Sequence, residues 1–259
     1  MRLPLPRLEY EILLCYAYNI TQAEYIAHPE KYDPPSPELK ELIDRRLQHE
    51  PIAYITGTQP FCGLNFIVNR NVLIPRPETE QLVELAINNL AKTKNQLQIA
   101  DIGTGCGCIA VTLAKRFPAS EVMGIDSSAE ALNVARRNAD RHMVSNCHFL
   151  QGNLLDAIGT KVDLIITNPP YIPTAEIEKL QPDVRDWEPR KALDGGEDGL
   201  DVIRKIIKAA PNHLNPKGLL LLELGFGQAP AVAKFAFKIF KRVEIHKDYT
   251  GIERYLIAQ

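Results

Sequence analysis

Apolar residues in the first 58 positions recur at helical spacing. The opening segment carries them at Leu8, Ile12, Leu13 and Tyr16. This period places side chains along one side of an α-helix. Two residue pairs are typical of helix starts, Thr21 with Glu24 and Ser36 before Pro37. The pattern predicts a small helical domain over residues 1–58.

The pattern changes to that of strands after this segment. Residues 61–72 alternate well enough to predict a short hairpin, which we interpret as a linker over 59–75. A helix over 81–89 then leads into a second domain. Short apolar runs follow at 97–102, 121–126, 147–151, 162–167 and 219–224. Because helical stretches separate these runs, they predict a parallel sheet with right-handed crossovers. Residues 242–246 and 254–258 predict a closing antiparallel hairpin.

Charge and cysteine content narrow the classes of function. The chain has 259 residues and a formal net charge of −2. Residues 1–75 hold 7 basic and 9 acidic side chains, and the remainder holds 23 of each. Neither part has the basic excess expected of a protein that binds phosphate backbones, so no stable nucleic-acid partner is expected. The five cysteines form no pair of Cys-x-x-Cys ligands, which predicts a reducing, cytoplasmic location and no metal site. The apolar run 13–18 is too short to span a membrane.

A glycine-rich turn follows the first predicted strand. It reads Asp101-Ile102-Gly103-Thr104-Gly105-Cys106-Gly107 and leads into a predicted helix over 108–117. Glycine lets the backbone approach a ligand where a Cβ would clash. The helix also directs its free N–H groups toward that ligand. Such a turn is shared by many nucleotide-binding proteins and by plain tight turns.

The second predicted strand ends in a carboxylate, Asp126, which lies 21 residues after Gly105. An acid at this place can accept hydrogen bonds from both hydroxyls of a ribose. Asp126 is equally placed to cap the helix predicted over 129–140. The spacing favours the ribose interpretation, and the two roles are compatible.

The fourth predicted strand ends in Asn168-Pro169-Pro170-Tyr171. Each proline fixes its own φ and favours extended geometry in the residue before it. Asn168 and the carbonyl of Pro169 are therefore held out at the strand end, next to an aromatic ring. An isolated Asn-Pro pair is more typical of a simple turn. Together with the glycine turn upstream, the tetrapeptide predicts methyl transfer to the nitrogen of a flat, uncharged NH2 group.

Further segments occur in the same order as in a known family. They are Leu73–Glu80, the glycine turn, Asn168–Tyr171, Glu188-Pro189, Ala192–Gly196 and Asp198–Asp201, with Glu50–Gly57 and Phe61–Phe66 ahead of them. Residues 76–259 resemble the class I S-adenosylmethionine-dependent methyltransferases. Nearly the whole chain resembles the HemK/PrmC family, whose members methylate N5 of the glutamine in the Gly-Gly-Gln motif of peptide chain release factors.

The resemblance implies an α/β fold with a Rossmann-like, mostly parallel seven-stranded sheet and a closing antiparallel hairpin. A small helical domain over 1–58 would recognise the substrate, 59–75 would link the two parts, and 76–259 would form the methyltransferase domain. The implied cofactor is S-adenosylmethionine, with S-adenosylhomocysteine as its product. The implied partners are class 1 release factors, with no membrane partner.

The resemblance also assigns roles to individual residues. The implied catalytic residues are Asn168, Pro169 and Tyr171, and Pro170 joins them in binding the substrate. The implied cofactor-binding residues are Asp101, Ile102, Gly103, Thr104, Gly105, Gly107, Asp126, Asn153, Leu154 and Asn168. At Asn153 and Leu154 the sequence departs from relatives that often place an acid and then an aromatic residue over the adenine. Glu188 and Trp187 lie in a long segment that either covers the substrate or only anchors a loop.

Two alternative functions remain open at the level of sequence. Adenine or other nucleobase amino methyltransferases share the Asn/Asp-Pro-Pro-aromatic tetrapeptide and act on a similar NH2 group. The lack of a target-recognition insert and of basic excess opposes this alternative. A non-catalytic cofactor-binding scaffold is the other alternative, and the intact tetrapeptide opposes it because a scaffold has no NH2 group to hold.

Overall fold

The computed structural model describes residues 5–90 and 96–259. Residues 1–4 of the predicted amino-terminal domain and 91–95 of the predicted methyltransferase domain lie outside this part. The described chain forms a helical amino-terminal region, a two-stranded hairpin and a seven-stranded α/β unit. The predicted fold class is therefore confirmed.

The amino-terminal region is built from four helices around a small apolar core. The helices are α1 Arg7–Tyr18, α2 Gln22–Ala27, α3 Pro37–Leu47 and α4 Ile52–Thr56. The core holds Tyr10, Leu13, Leu14, Leu39, Leu42, Ile43 and Ile55. Both predicted helix starts are confirmed, since Thr21 and Glu24 form a capping box and Ser36 Oγ accepts a hydrogen bond from Leu39 N–H.

One face of α1 differs from the expectation drawn from its spacing. Of the four apolar residues that mark the helix, only Leu13 is buried, and Leu8, Ile12 and Tyr16 are 64%, 40% and 48% exposed. These three residues, the outer face of α1, lie four positions apart and point away from the core. Tyr10 and Leu14 join Leu13 in the core instead. Periodicity identifies the helix correctly here, but both of its faces are apolar.

The hairpin attaches the amino-terminal helices to the larger unit. Its strands, β1 Thr58–Phe61 and β2 Leu64–Ile67, begin and end earlier than the predicted 61–72. Phe61 and Phe66 are buried in the same cluster as Ala53 and Tyr54 of α4. The hydroxyl of Tyr54 donates a hydrogen bond to the carbonyl of Val72 at 2.6 Å. Because Ile55 of the same helix lies in the amino-terminal core, α4 packs both against the amino-terminal helices and against the large α/β unit.

The large sheet has the order β5-β4-β3-β6-β7-β9-β8, and β9 runs in the direction opposite to the other six strands. Its strands are β3 Gln98–Ile102, β4 Glu121–Asp126, β5 Cys147–Gln151, β6 Val162–Thr167, β7 Leu214–Glu223, β8 Val243–Lys247 and β9 Glu253–Ala258. The remaining helices are α5 Pro77–Leu90, α6 Cys108–Arg116, α7 Ala129–Arg141, α8 Pro182–Arg185, α9 Asp201–His213 and α10 Ala229–Ala236.

Helices cover both faces of this sheet. Helices α5, α6 and α7 pack on one face, and α9 and α10 pack on the other. Strands buried on both faces need continuous apolar runs, which explains sequences such as that of β6. Helix α5 starts four residues before the predicted 81, because Pro77 occupies its first position. Strand β7 starts five residues before the predicted 219 and is irregular in its pairing with β6.

The carboxyl ends of the parallel strands meet at one edge of the sheet, where ligands bind in open α/β folds. The glycine turn, Asp126 and the Asn168 tetrapeptide all follow strands at this edge. Across residues 5–90 and 96–259, we find no helix with the length and apolar character needed to cross a bilayer.

Candidate active site

Asp101 holds the glycine turn in place. It is fully buried, and its Oδ2 accepts hydrogen bonds from the hydroxyl of Thr104 at 2.6 Å and from the N–H of Ala110 at 3.2 Å. These two bonds connect the end of β3 to the turn and to the start of α6. Burial raises the pKa of Asp101 to about 7. Oδ1 of Asp101 is buried without a hydrogen-bond partner in the described part of the chain.

The glycine turn has room for a ligand beside it. Gly103 and Gly105 adopt φ of 71° and 55°, a conformation that side chains disfavour. A Cβ at Gly103 would meet no atom within 4 Å, and one at Gly105 would meet only the Gly103 carbonyl at 4.0 Å. The space that glycine leaves open here is not filled by the protein. With the unpartnered acceptor of Asp101, it suits a ligand that carries N–H donors, as S-adenosylmethionine does.

Asp126 lies against the same turn. Its Oδ2 accepts the N–H of Gly105 and its Oδ1 accepts the N–H of Ser128, both at 2.9 Å. The helix cap of α7 is Ser128, whose Oγ accepts the N–H of Ala131. Asp126 is therefore not the N-cap residue. A carboxylate has about four acceptor positions, so Asp126 keeps capacity for ribose hydroxyls.

Asn153 and Leu154 follow β5, at the same edge of the sheet. The N–H of Gly152 donates to the carbonyl of Asp126 at 3.0 Å, which brings the two strand ends together. Asn153 is exposed, and Leu154 is half-buried with a φ of 54°. This left-handed backbone conformation is uncommon for a residue with a side chain. Leu154 packs on the apolar cluster that contains Ile125 and Leu155, so contact of this pair with an adenine remains a prediction.

The tetrapeptide begins where β6 ends. The hydroxyl of Thr167 donates to the carbonyl of Ile102 at 2.7 Å, so the ends of β6 and β3 lie side by side. Asn168, one residue later, is therefore close to the glycine turn. The side chain of Ile102 is buried in the core, which leaves only its backbone to line a cofactor site.

A small cleft opens beside the tetrapeptide. Its volume is about 90 Å³, and its walls are Leu73, Arg76, Asn168, Pro169, Tyr171, Ile172, Val184, Ala192 and Leu193. Apart from Asn168, Arg76 and Tyr171 these walls are apolar. A cleft of this kind accommodates a short side chain with one polar end. Pro170 does not line it and is half-buried behind its neighbours.

The side chain amide of Asn168 is hydrogen-bonded to α5. Its Nδ2 donates to Oγ1 of Thr79 at 2.9 Å. The hydroxyl of Thr79 donates in turn to Oε2 of Glu223 at 2.8 Å, and the hydroxyl of Tyr171 donates to Oε1 of Glu223 at 3.3 Å. Three segments far apart in sequence therefore meet in one buried network. Burial raises the pKa of both Glu223, to about 7, and Tyr171.

Arg76 and Glu188 join the cleft to the segment that follows the tetrapeptide. Glu188 is 5% exposed and forms an ion pair with Arg76, while its other oxygen accepts the N–H of Ile74 at 3.4 Å. The guanidinium of Arg70 lies over the ring of Trp187, 5.4 Å from the ring centre. Segment 172–200 is thus anchored to the residues just before α5. Because Val184, Ala192 and Leu193 line the cleft, this segment also forms one of its walls.

Sequence reasoning missed two members of the site. The leucine-rich pattern of residues 219–224 predicts only a strand at Glu223, and no motif includes Gln228. Gln228 Nε2 donates to the carbonyl of Tyr171 at 2.8 Å and so supports the tetrapeptide from behind. A single carboxylate within Leu219–Leu224 was the available signal for Glu223, since an unpaired charge in a buried strand is costly.

Comparison with known proteins agrees with this geometry. Residues 78–180 match the family described as Methyltransferase small domain, and residues 2–57 match the PrmC N-terminal domain. Among solved structures, a methyltransferase from Pyrococcus furiosus aligns with a TM-score of 0.58 at 21% identity, over 83% of this chain and 95% of that one. The ribosomal protein L11 methylase of Lactobacillus delbrueckii aligns with a TM-score of 0.54 at 21% identity, over 73% and 81%. These structures show the same fold.

Curated relatives are more similar and extend over almost the whole chain. A release factor glutamine methyltransferase of Geobacter sulfurreducens is 46% identical over 96% of this chain and 87% of its own length. Proteins of the same name from Thermodesulfovibrio yellowstonii and Koribacter versatilis are 41% and 40% identical, over 97% and 99% of this chain and 91% and 92% of theirs. With the tetrapeptide at the cleft and the glycine turn beside it, this similarity shows that the chain belongs to the family of release factor glutamine methyltransferases.

Proposed function

We propose that this enzyme transfers a methyl group from S-adenosylmethionine to N5 of the glutamine in the Gly-Gly-Gln motif of class 1 peptide chain release factors. The observation that carries the proposal is the placement of Asn168, Pro169 and Tyr171 along a small, largely apolar cleft beside the glycine turn. Family membership supports both the reaction and the substrate class.

The cofactor is assigned to the glycine turn and the two strand ends next to it. Asp101, Gly103, Gly105 and Asp126 would hold it, and Asn153 with Leu154 would contact its base. When bound, S-adenosylmethionine supplies a methyl group on a positively charged sulfur. The open space beside Gly103 and the buried, unpartnered Oδ1 of Asp101 support this assignment.

The chain's own residues act by orienting the substrate amide. An amide nitrogen is a poor nucleophile because its lone pair is conjugated with the carbonyl, as the rotation barrier of about 18–20 kcal/mol shows. Oδ1 of Asn168 and the carbonyl of Pro169 accept the two N–H bonds of the glutamine side chain, and Tyr171 packs against the amide plane. Correct placement of two reactants can lower a barrier by about 7–11 kcal/mol. The nitrogen becomes acidic once methylated, so its proton passes to solvent without a strong base.

Transfer of labelled methyl groups tests this function directly. We expect label from S-adenosylmethionine to appear in an intact class 1 release factor and to map, after proteolysis, to the glutamine of Gly-Gly-Gln. A release factor with alanine in place of that glutamine is the control and should remain unlabelled. Preferential methylation of DNA or RNA would contradict the proposal and favour a nucleobase amino methyltransferase.

We further propose that the amino-terminal helices recognise the release factor. A glutamine side chain offers the cleft one amide and two methylenes, which cannot distinguish one glutamine among many. The outer face of α1 exposes Leu8, Ile12 and Tyr16 in one row. Exposed apolar rows of this kind are typical of protein-binding surfaces. Arg46 of α3 reaches Oδ2 of Asp183 at 4.0 Å, so these helices lie beside segment 172–200, a wall of the cleft.

Charged substitutions on the outer face of α1 test this recognition. We expect Leu8→Asp with Ile12→Asp to raise KM for an intact release factor about three- to tenfold, because the loss of one or two apolar contacts at an interface has this size. The rate on a short Gly-Gly-Gln peptide should not change. Phe237→Asp is the matched control, because Phe237 follows α10 in the methyltransferase domain and its side chain is 59% exposed. Equal losses on both substrates would assign these helices a folding role.

A cytoplasmic location is proposed with this function. All five cysteines are free, and three of them, Cys106, Cys108 and Cys147, are buried as thiols. Unpaired cysteines in this number are typical of reducing compartments.

A further inference from the structure

Glu223 is a buried carboxylate to which the reaction described above assigns no part. It ends the apolar strand β7 and is 1% exposed, and its carboxylate accepts hydrogen bonds from the hydroxyls of Thr79 and Tyr171. Carboxylates are rarely buried so completely without a specific partner. Thr79, 3% exposed, connects it to Asn168.

When Glu223 is ionised, the hydrogen bonds from Thr79 to Glu223 and from Asn168 to Thr79 can run in only one direction. A threonine hydroxyl can donate one hydrogen bond, and an ionised carboxylate can only accept. Thr79 must therefore give its proton to Oε2 of an ionised Glu223. Its Oγ1 then has only lone pairs left for Asn168, so the group that approaches it must be the NH2 end of the amide. This is the arrangement observed, with Nδ2 of Asn168 2.9 Å from Oγ1 of Thr79.

The orientation of this amide decides whether the substrate can bind productively. An amide carries its oxygen and its nitrogen at opposite edges of one plane, so directing Nδ2 to Thr79 turns Oδ1 toward the cleft that Asn168 lines. In the reversed orientation, N–H groups of Asn168 would face the N–H groups of the substrate glutamine. We propose that Glu223, acting through Thr79, selects the orientation of the Asn168 side chain in which Oδ1 faces the substrate. Both are positioning residues, and the proposal rests on the glutamine methylation proposed above.

The orientation of the Asn168 side chain depends on pH through the protonation state of Glu223. Burial raises the pKa of Glu223 to about 7, against the lowering effects of the Thr79 hydrogen bond and of Arg254. The charged and titratable groups around it come from α5, from the tetrapeptide and from β9 with the loop before it: Glu78, Tyr171, Arg254, Tyr255 and Asp248. None of them lies between Glu223 and Thr79, which are in direct contact.

Protonation of Glu223 can reverse the direction of its hydrogen bond with Thr79. Above its pKa, Glu223 accepts the proton of Thr79 and the productive orientation of Asn168 is enforced. Below it, the carboxyl O–H can donate to Thr79, and Thr79 is then free to donate to Oδ1 of Asn168. At saturating cofactor and substrate, kcat should therefore fall as the pH drops through about 7.

Four variants with measured kcat, KM and pH profiles test the proposal. Thr79→Val removes the hydroxyl and should lower kcat at least about tenfold at every pH, while KM and calorimetric cofactor affinity stay within about threefold. Thr79→Ser keeps the hydroxyl and should restore kcat to within about threefold of wild type. Thr112→Val controls for loss of a buried threonine hydroxyl, since that group donates within its own helix, to the carbonyl of Cys108 at 2.6 Å.

Glu223→Gln separates titration from packing. Its side chain still offers Thr79 an acceptor but does not titrate, so kcat near pH 8 should stay within about tenfold of wild type and the fall below about pH 7 should disappear. Cofactor affinity measured across the same range isolates the contribution of Asp101, whose pKa is also raised to about 7. Wild-type kcat in Thr79→Val, or an acidic limb that persists in Glu223→Gln, would overturn the proposal. A wild-type enzyme that methylates no release-factor glutamine would instead refute the proposed function.

Discussion

Asn168→Ala is expected to lower kcat about a hundredfold while cofactor affinity stays within a few fold. In the proposed mechanism, the variant loses the Oδ1 acceptor that orients the substrate nitrogen. This contact matters most when the nitrogen leaves the amide plane, so its loss should reduce kcat more than it raises KM. Steady-state kinetics on an intact release factor and calorimetry with S-adenosylmethionine measure the two quantities separately.

Asn168 is well suited to this comparison because it is half-buried at the cleft and its hydrogen bond is to Thr79, not to the glycine turn. Removing it should therefore leave the cofactor site intact. Turnover that survives with only a higher KM would mean that the tetrapeptide has a structural role, and the orientation mechanism would be wrong.

Asp126→Ala has the second largest expected effect, a loss of cofactor affinity of at least about tenfold. Hydrogen bonds to a charged acceptor contribute about 1.5–3 kcal/mol each, and about 1.4 kcal/mol corresponds to tenfold in affinity. The variant also loses the bond from Gly105 N–H, which steadies the turn. Calorimetric titration with S-adenosylmethionine measures the loss.

Ser128→Ala is the matched control for Asp126. It removes the true cap of α7 and should cost about 1 kcal/mol of unfolding free energy, yet leave cofactor affinity unchanged because its backbone N–H still bonds Asp126. If Asp126→Ala lowers only the unfolding free energy, as Ser128→Ala does, then Asp126 supports the helix and the ribose lies elsewhere.

The order of the helices and strands, and the position of the glycine turn, Asp126 and the tetrapeptide at strand ends, could be predicted from the sequence. The run Val162–Thr167 can be recognised as a strand because it is short and apolar and is followed by prolines that end it. The position of Asp126 next to the glycine turn also follows from sequence, since a parallel crossover of this length returns the chain beside its start. The bond from Gly105 N–H to Asp126 is seen only in the structure. These features depend on neighbours along the chain or on one crossover.

The Thr79 and Glu223 connection could not be predicted in the same way. The two residues are 144 positions apart and meet only because α5 packs near the end of β7. The outer face of α1 shows a second limit. Leu8, Ile12 and Tyr16 have the spacing of a core face, but the opposite face is apolar as well, and packing against α3 and α4 determines which one is buried.

The double packing of α4 determines how a large substrate can be held. Ala53 and Tyr54 pack in the apolar cluster of the large α/β unit while Ile55 packs in that of the amino-terminal helices, so this helix restrains the separation between the outer face of α1 and Asn168. Under the recognition proposed above, the outer face of α1 and the cleft would act as a bivalent binder, in which the first contact raises the effective concentration for the second. A release factor whose surfaces match that separation would gain from both contacts. A glutamine in an unrelated protein would gain from only one and would compete poorly even when its own loop fits the cleft.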